Sequence, residues 1–191
     1  MRGVRVRRSS TAGATTGENQ PTSPGGTPPG ASEVSQEQFR RALGEHAAGV
    51  VVVTATFDGD PVGVTATSFT SVSLEPPLVS FYIDGRSGTW PVIRDAGAFA
   101  VNTLAEDQRD VAARFAAKGV DRFAPPTRWH LGPEGLPLLD GVTAHVLCRT
   151  HDLLAVGDHW LVVGRVAGAG ATGHERAPLL YHRGRYGRFE A

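Results

Sequence analysis

The chain has 191 residues, which suits one domain with a genuine core and an appendage. Its 19 Lys and Arg balance 19 Asp and Glu, so composition argues against nucleic acid or an anionic membrane as the main partner. The single cysteine, Cys148, excludes an intrachain disulfide and a cysteine-built metal site, and no apolar run approaches the roughly 18 residues of a membrane span.

Residues 1–34 contain no Leu, Ile or aromatic residue and are dense in Gly, Pro, Ser and Thr. Such a segment buries too little apolar surface to offset its ordering entropy, so the expectation is a disordered tail followed by one domain over residues 35–191. Arg2, Arg5, Arg7 and Arg8 give the start a faint transit-peptide character, without the apolar core of a secretory signal. Ser35 with Gln38 spells a capping box, and Phe39, Ala42, Leu43, His46 and Ala47 recur at helical spacing. They predict an amphipathic helix that ends at Gly49, with His46 a partly buried structural histidine.

Val50 to Thr56 is rich in β-branched residues and reads as a strand, and Asp58-Gly59 turns it into a second. There Val62, Val64 and Ala66 alternate with Gly63, Thr65 and Thr67, the period of a half-buried strand. The pattern breaks into a hydroxyl-rich corner running to Ser73, Glu75-Pro76-Pro77 stops any continued pairing, and a new strand follows from Leu78 to Ile83. Such a corner offers a flat polar ligand many short donors and acceptors without a full charge; a plain surface loop has the same composition.

A short helix is expected from about Pro91 to Arg94, a buried strand at Phe99 to Asn102, and a helix from about Ala105 to Lys118 behind a capping box of Thr103 and Glu106. Asp121 to Leu139 is irregular and proline-rich, anchored by Trp129 and Leu136. Two longer strands, about Val142 to Leu154 and His159 to Ala167, are joined by Ala155-Val-Gly-Asp158, and Leu179 to His182 forms the last. Short strands with few helices predict a mainly β fold, an antiparallel barrel or sandwich with peripheral helices. Cys148 lies in an apolar strand and reads as a buried thiol.

Gly168-Ala-Gly170-Ala-Thr-Gly173 formally matches a dinucleotide fingerprint, but Pro178 follows and no helical periodicity opens there, so it reads as a flexible glycine loop. No Gly-x-Ser-x-Gly elbow is present, and the histidines lack metal-ligand spacing, so no metal is expected. Asp158-His159 can fix an imidazole for proton or cofactor work, or be structural.

The order of these pieces is familiar: Gly63 to Pro77, Arg86-Ser87-Gly88-Thr89-Trp90, Phe99 to Asn102, Arg114-Phe115, Asp121-Arg-Phe123, Gly157-Asp-His159 and Pro178 to Tyr186. Taken together they resemble the flavin reductase family with the FMN-binding split-barrel fold, an antiparallel Greek-key barrel. The resemblance implies a homodimeric NAD(P)H:flavin oxidoreductase, binding FMN or FAD non-covalently and using NADH or NADPH; a cytoplasmic location is expected from the lack of a secretory signal and from cofactor supply. Its reduced flavin would pass to a partner monooxygenase. The resemblance further implies that Val64, Thr65, Ala66, Thr67, Ser68 and Ser71 surround the isoalloxazine ring. Arg86, Ser87, Thr89 and Trp90 then meet the ribityl phosphate with Lys118 nearby, and His159, Tyr181, His182, Arg183 and Gly184 face the nicotinamide nucleotide, His159 as the catalytic residue. Alternatives are a barrel that keeps its flavin, as an oxidase does, and a non-catalytic flavin- or heme-binding protein.

Overall fold

The computed structural model describes residues 34–173 and 176–189, so the expected disordered tail lies, Val34 apart, outside the described residues. Ser35 caps α1 (Gln36–Gly44) as the sequence dictates: its Oγ accepts from the Gln38 N–H at 3.1 Å, and the Gln38 side chain accepts from the Ser35 N–H at 3.0 Å. The helix stops earlier than its spacing predicts. The N–H groups of Glu45 and His46 bond back to the carbonyls of Ala42 and Leu43 in a tighter turn, after which the chain enters β1 (Ala48–Gly49). None of the residues of α1 is buried; Phe39 and Leu43 are 59% and 54% exposed, and His46 is exposed, which corrects its reading as a partly buried residue.

The strands that follow are β2 (Val51–Phe57), β3 (Asp60–Ala66), β4 (Thr70–Leu74) and β5 (Pro77–Asp84); α2 (Trp90–Ala96) and β6 (Ala98–Thr103) come next. After α3 (Arg109–Ala116), a ribbon of β7 (Trp129–Leu131) and β8 (Pro137–Leu139) leads to the long hairpin β9 (Ala144–Val156) and β10 (His159–Ala171). The chain finishes with β11 (Leu179–His182) and β12 (Arg185–Arg188), which form a small sheet with β1.

The main sheet is antiparallel in the order β3-β2-β6-β9-β10-β5-β4. Its two end strands, β3 and β4, are joined by Thr67, Ser68 and Phe69 alone, so the four residue steps from Ala66 to Thr70 span at most about 14 Å. The sheet therefore has to roll up on itself. Across the resulting seam the Ser68 Oγ accepts from the Tyr82 N–H at 2.9 Å, tying the end of β3 to β5. This is the split antiparallel barrel that the strand count and the resemblance lead one to expect.

Val51, Val53, Phe81, Ile83, Phe99 and Val162 fill the barrel, and α2 closes one end with Trp90 and Ile93. Each such side chain contributes about 1.5–3 kcal/mol on burial. A second cluster, including Val50, Val52, Leu104, Phe115 and Leu179, lies outside the barrel wall. Hence β2 is apolar on both faces, the reason for the unbroken Val50–Val53 run. The second face of β3 is covered as well: Gly63 is buried and lies against the Phe115 ring of α3, and the Thr65 Oγ1 donates to the Ala112 carbonyl at 2.7 Å.

Four local expectations are corrected. Thr70–Leu74 is not a loop but an edge strand, because an end position needs one ladder only; Glu75-Pro76 makes the turn, and Pro77 opens β5 opposite Leu74. The Thr103–Glu106 box does not form, since Thr103 is held in the sheet and the Glu106 N–H that it would cap is committed to the Ala177 carbonyl; Gln108 instead accepts from the Ala105 N–H, and α3 starts at Arg109. Gly168 to Ala171 is strand, paired with β9, and not a flexible loop. The irregular stretch to Leu139 contains the β7–β8 ribbon, with Leu136 buried and Trp129 half-buried.

Cys148 is buried in the barrel, which pushes its thiol up to about 12 and leaves it inert. His145, half-buried on β9, donates its Nε2–H to the Leu139 carbonyl at 3.0 Å as the neutral ring, and desolvation pulls its pKa below 6.5. A histidine depressed in the folded state contributes stability above its unfolded pKa and loses it as pH falls. Melting temperature should therefore drop as pH is lowered from 7 towards 5, and the His145→Gln variant should show a shallower drop over the same range.

Candidate functional site

Rolling the sheet leaves β3 paired on one side only, with β2, so its outer edge presents backbone N–H and C=O groups along the seam. Opposite that edge stand Tyr82, Ile83 and Asp84 of β5, and between them opens a cavity of about 890 Å³. That is the size class of a small-molecule site. The loop after β5 (Arg86 to Thr89) and the loop after α3 (Lys118 to Phe123) close it, and His159, the first residue of β10, stands at its margin.

The hydroxyls around this cavity mostly hold the protein together. Thr65 is committed to α3, the Ser68 Oγ to Tyr82, the Ser87 Oγ to the Thr89 N–H at 3.3 Å, and the Thr89 Oγ1 to Arg122 at 2.9 Å. What the wall offers a ligand is therefore largely neutral backbone, in a shape set by those bonds.

Charge enters at the loop end. Arg122 is half-buried: its Nη1 donates to the Gly63 carbonyl at 2.6 Å and to the Thr89 Oγ1, and its Nη2 to the Ala117 carbonyl at 2.7 Å. Every one of these partners is neutral, and burial pulls the guanidinium pKa down. Lys118, exposed on the same loop, forms no salt bridge among the described residues either. The loop that carries both is anchored by edge-to-face stacking of Phe123 on Phe115 and on Trp129, at 5.2 and 5.1 Å, and by the Asp121 Oδ1, which accepts from the N–H groups of Phe123 and Ala124. Two cations lacking a carboxylate beside a cavity of this size have the chemistry to receive an anion.

On the other side of the mouth the acidic groups are hydrogen-bonded to neighbours. Asp84 receives the Arg86 guanidinium through both oxygens, at 3.2 and 3.0 Å, and those bonds hold its carboxyl down at about 2. Asp158 accepts from the His159 Nδ1 at 2.7 Å, which lowers the Asp158 carboxyl and fixes the ring with its Nε2 free of that contact. The Gly85 N–H donates to the Asp158 carbonyl, so the two loops are joined.

Of the residues expected at the flavin, Val64, Thr65, Ala66, Thr67, Ser68, Arg86, Ser87, Thr89 and Lys118 all line this cavity, with His159. Two do not. Trp90 is buried in the core, its ring stacked on Trp160 at 4.9 Å, where it supports the Arg86–Thr89 loop from beneath; Ser71 is exposed on β4, outside the cavity, because its strand lies beyond β5 in the sheet. Arg86 is present but points its charge at Asp84. Arg122 is the residue that sequence reasoning passed over, although it sits inside the noted Asp121-Arg-Phe123 run; a cation between a helix-ending glycine and a proline-rich loop was the available signal. Tyr181, His182, Arg183 and Gly184 line a second cavity, also about 890 Å³, between α1 and the β11–β12 turn, which shares Thr67, Ser68 and Tyr82 with the first.

Comparison with known proteins gives the family. Residues 43–190 match the family described as the flavin reductase like domain. The chain is 41% identical over 82% of its length to the flavin-dependent monooxygenase reductase subunit HsaB of Rhodococcus jostii, covering 79% of that protein. It is also 41% identical, over 84% of its length and 85% of the relative, to an NADH:FMN oxidoreductase of Rhodococcus qingshengii. Among solved structures it superposes with a TM-score of 0.77 on the NADH:FAD oxidoreductase of Streptomyces globisporus in complex with NAD and FAD fragments; identity is 38%, covering 84% of this chain and 98% of that one.

Proposed function

Because the chain belongs to the flavin reductase like domain family, we propose that its seam cavity takes FMN or FAD non-covalently and that His159 and the Tyr181 to Gly184 turn receive the nicotinamide nucleotide. The protein is a flavin reductase that oxidises NADH, and the reduced flavin it makes supplies a separate monooxygenase. The observation that carries the site assignment is one cavity joining a neutral, backbone-lined wall to Lys118 and Arg122, neither of which has a carboxylate partner among the described residues. A planar ring fits the first and a phosphate the second.

With both ligands bound, the nicotinamide supplies a hydride and the flavin ring accepts it. The protein's part is position and electrostatics. Lys118 and Arg122 hold the phosphate and set how far the ring enters the seam. Backbone N–H groups of the β3 edge stabilise negative charge at the rim of the ring as it becomes reduced. Asp158 orients the His159 ring, whose Nε2 meets the nucleotide. Both carboxylates of the wall are engaged within the fold, Asp84 by Arg86 and Asp121 by the N–H groups of Phe123 and Ala124, and a ring held by neutral backbone groups can leave as a diffusible product.

His159→Ala should lower kcat/KM for NADH roughly tenfold, the equivalent of one charge-assisted hydrogen bond, while flavin affinity stays within about twofold. Steady-state titration of each substrate separates the two effects. The family reading is tested by following NADH oxidation by purified protein while FMN, FAD or riboflavin is added: turnover must require added flavin and saturate with it. A protein that purifies with stoichiometric flavin and needs none added would instead keep its cofactor.

The finer parts of the reading belong to the same proposal. A homodimer is the assembly that the family resemblance implies. A cytoplasmic site agrees with nucleotide supply, and no helix among the described residues is long and apolar enough to cross a membrane.

A further inference from the structure

A dinucleotide whose nicotinamide reaches the seam cavity has to continue past the shared wall of Thr67, Ser68 and Tyr82 into the second cavity. The Lys and Arg side chains lining that second cavity are Arg40 and Arg183, and they are not equivalent. Arg183 sits at the tip of the β11–β12 turn with φ 49°, and its N–H donates to the Gly44 carbonyl at 3.0 Å. Its charge is paired by one carboxylate along the Nε–Nη2 edge: Nε lies 3.1 and 3.0 Å from the two Glu45 oxygens, and Nη2 lies 2.5 Å from Oε2. That bond holds the Glu45 carboxyl below its ordinary range, so it is ionised at neutral pH. Arg40 makes no salt bridge among the described residues.

Among the described residues the second cavity thus has one guanidinium without a carboxylate partner. NADH and NADPH both carry a pyrophosphate, which Arg40 can serve; NADPH adds a 2′-phosphate with nearly two further negative charges. A 2′-phosphate calls for an arginine of its own, whereas a ribose 2′-hydroxyl is served by a carboxylate. We propose that the Glu45–Arg183 ion pair sets nucleotide preference, withholding Arg183 from a 2′-phosphate and so selecting NADH over NADPH. The proposal rests on the flavin reductase reading of the adjoining cavity. Both side chains of the pair are largely exposed, at 65% and 56%, so the pair contributes little to stability and can be removed with the fold intact.

The experiment is a comparison of kcat/KM for NADH and for NADPH, at saturating flavin, in the wild-type protein, Glu45→Gln, the double variant Glu45→Gln with Arg183→Gln, and the control Glu37→Gln on the same helix. The expected wild-type preference is for NADH. Glu45→Gln should raise kcat/KM for NADPH about tenfold, the effect of one charge-assisted hydrogen bond gained, and leave NADH within about twofold. The double variant should lose that gain, because the freed guanidinium is gone, and Glu37→Gln should match the wild type. A ratio unchanged in Glu45→Gln, or a gain that persists in the double variant, overturns the proposal. Wild-type protein that oxidises neither nucleotide with any flavin brings down the reductase reading itself, a separate and recognisable result.

Discussion

Arg122→Ala should weaken FMN binding by roughly ten- to a hundredfold, the loss of about 1.5–3 kcal/mol that a hydrogen-bonded charge provides. Arg122 has two connected tasks. Its guanidinium ties the end of α3 to the β3 edge through the carbonyls of Ala117 and Gly63, and it braces Thr89 at the start of α2, so three sides of the cavity meet on one side chain. It also carries a half-buried positive charge without a carboxylate partner among its hydrogen bonds, which an arriving phosphate would neutralise. Riboflavin, which lacks the phosphate, separates these tasks: its affinity should fall several-fold less than that of FMN. Equal losses for the two flavins, measured by fluorescence titration, would mean that Arg122 only shapes the cavity. Arg86→Ala is the matching control, with the smaller effect expected because Asp84 already holds that guanidinium.

Gly63→Ala should be the most damaging single methyl group that can be added to the cavity wall. A Cβ at that position would stand 2.7 Å from the Phe115 Cε1 and 3.2 Å from the Thr54 Cγ2, and Phe115 is itself fully buried. Overpacking of this kind costs about 1–3 kcal/mol, and at this chain length each kcal/mol lowers Tm by roughly 2–4 °C. Because Gly63 also offers its carbonyl to Arg122, the displaced strand should lose flavin affinity as well as stability. Phe115→Leu in the same chain opens space beside Gly63 and should restore part of the Tm lost, a coupling that a double-mutant cycle reads directly. Without such recovery the clash with Phe115 is not the cause.

Local pattern carries much of this protein. The Ser35–Gln38 cap, the β-branched run before Asp58-Gly59, the alternation through Val62, Val64 and Ala66, and the long hairpin around Gly157-Asp158 are all readable, because each depends on residues within a few positions of one another. The ordered set of short runs from Gly63 to Tyr186 was enough to point to the family and so to the chemistry. The misreadings have the opposite character. Thr103 looked like a helix cap and was claimed by a strand; Gly168 to Ala171 looked like a loop and was paired by β9. In each case a long-range backbone partner outweighed a local preference.

The site shows the same division. Within the sequence, the family resemblance carried by these short runs pointed to the segments around Thr65, Ser87 and Lys118, and those segments do line one cavity. Only the tertiary structure decided which cations were available there. Arg86 and Arg122 are the same residue type on neighbouring loops, but one meets Asp84 two positions away and is neutralised, while the other folds back beneath β3 among carbonyls and keeps its charge unopposed. Charge is written in the side chain; whether it is spent within the fold depends on what the rolled sheet brings within about 3 Å of it.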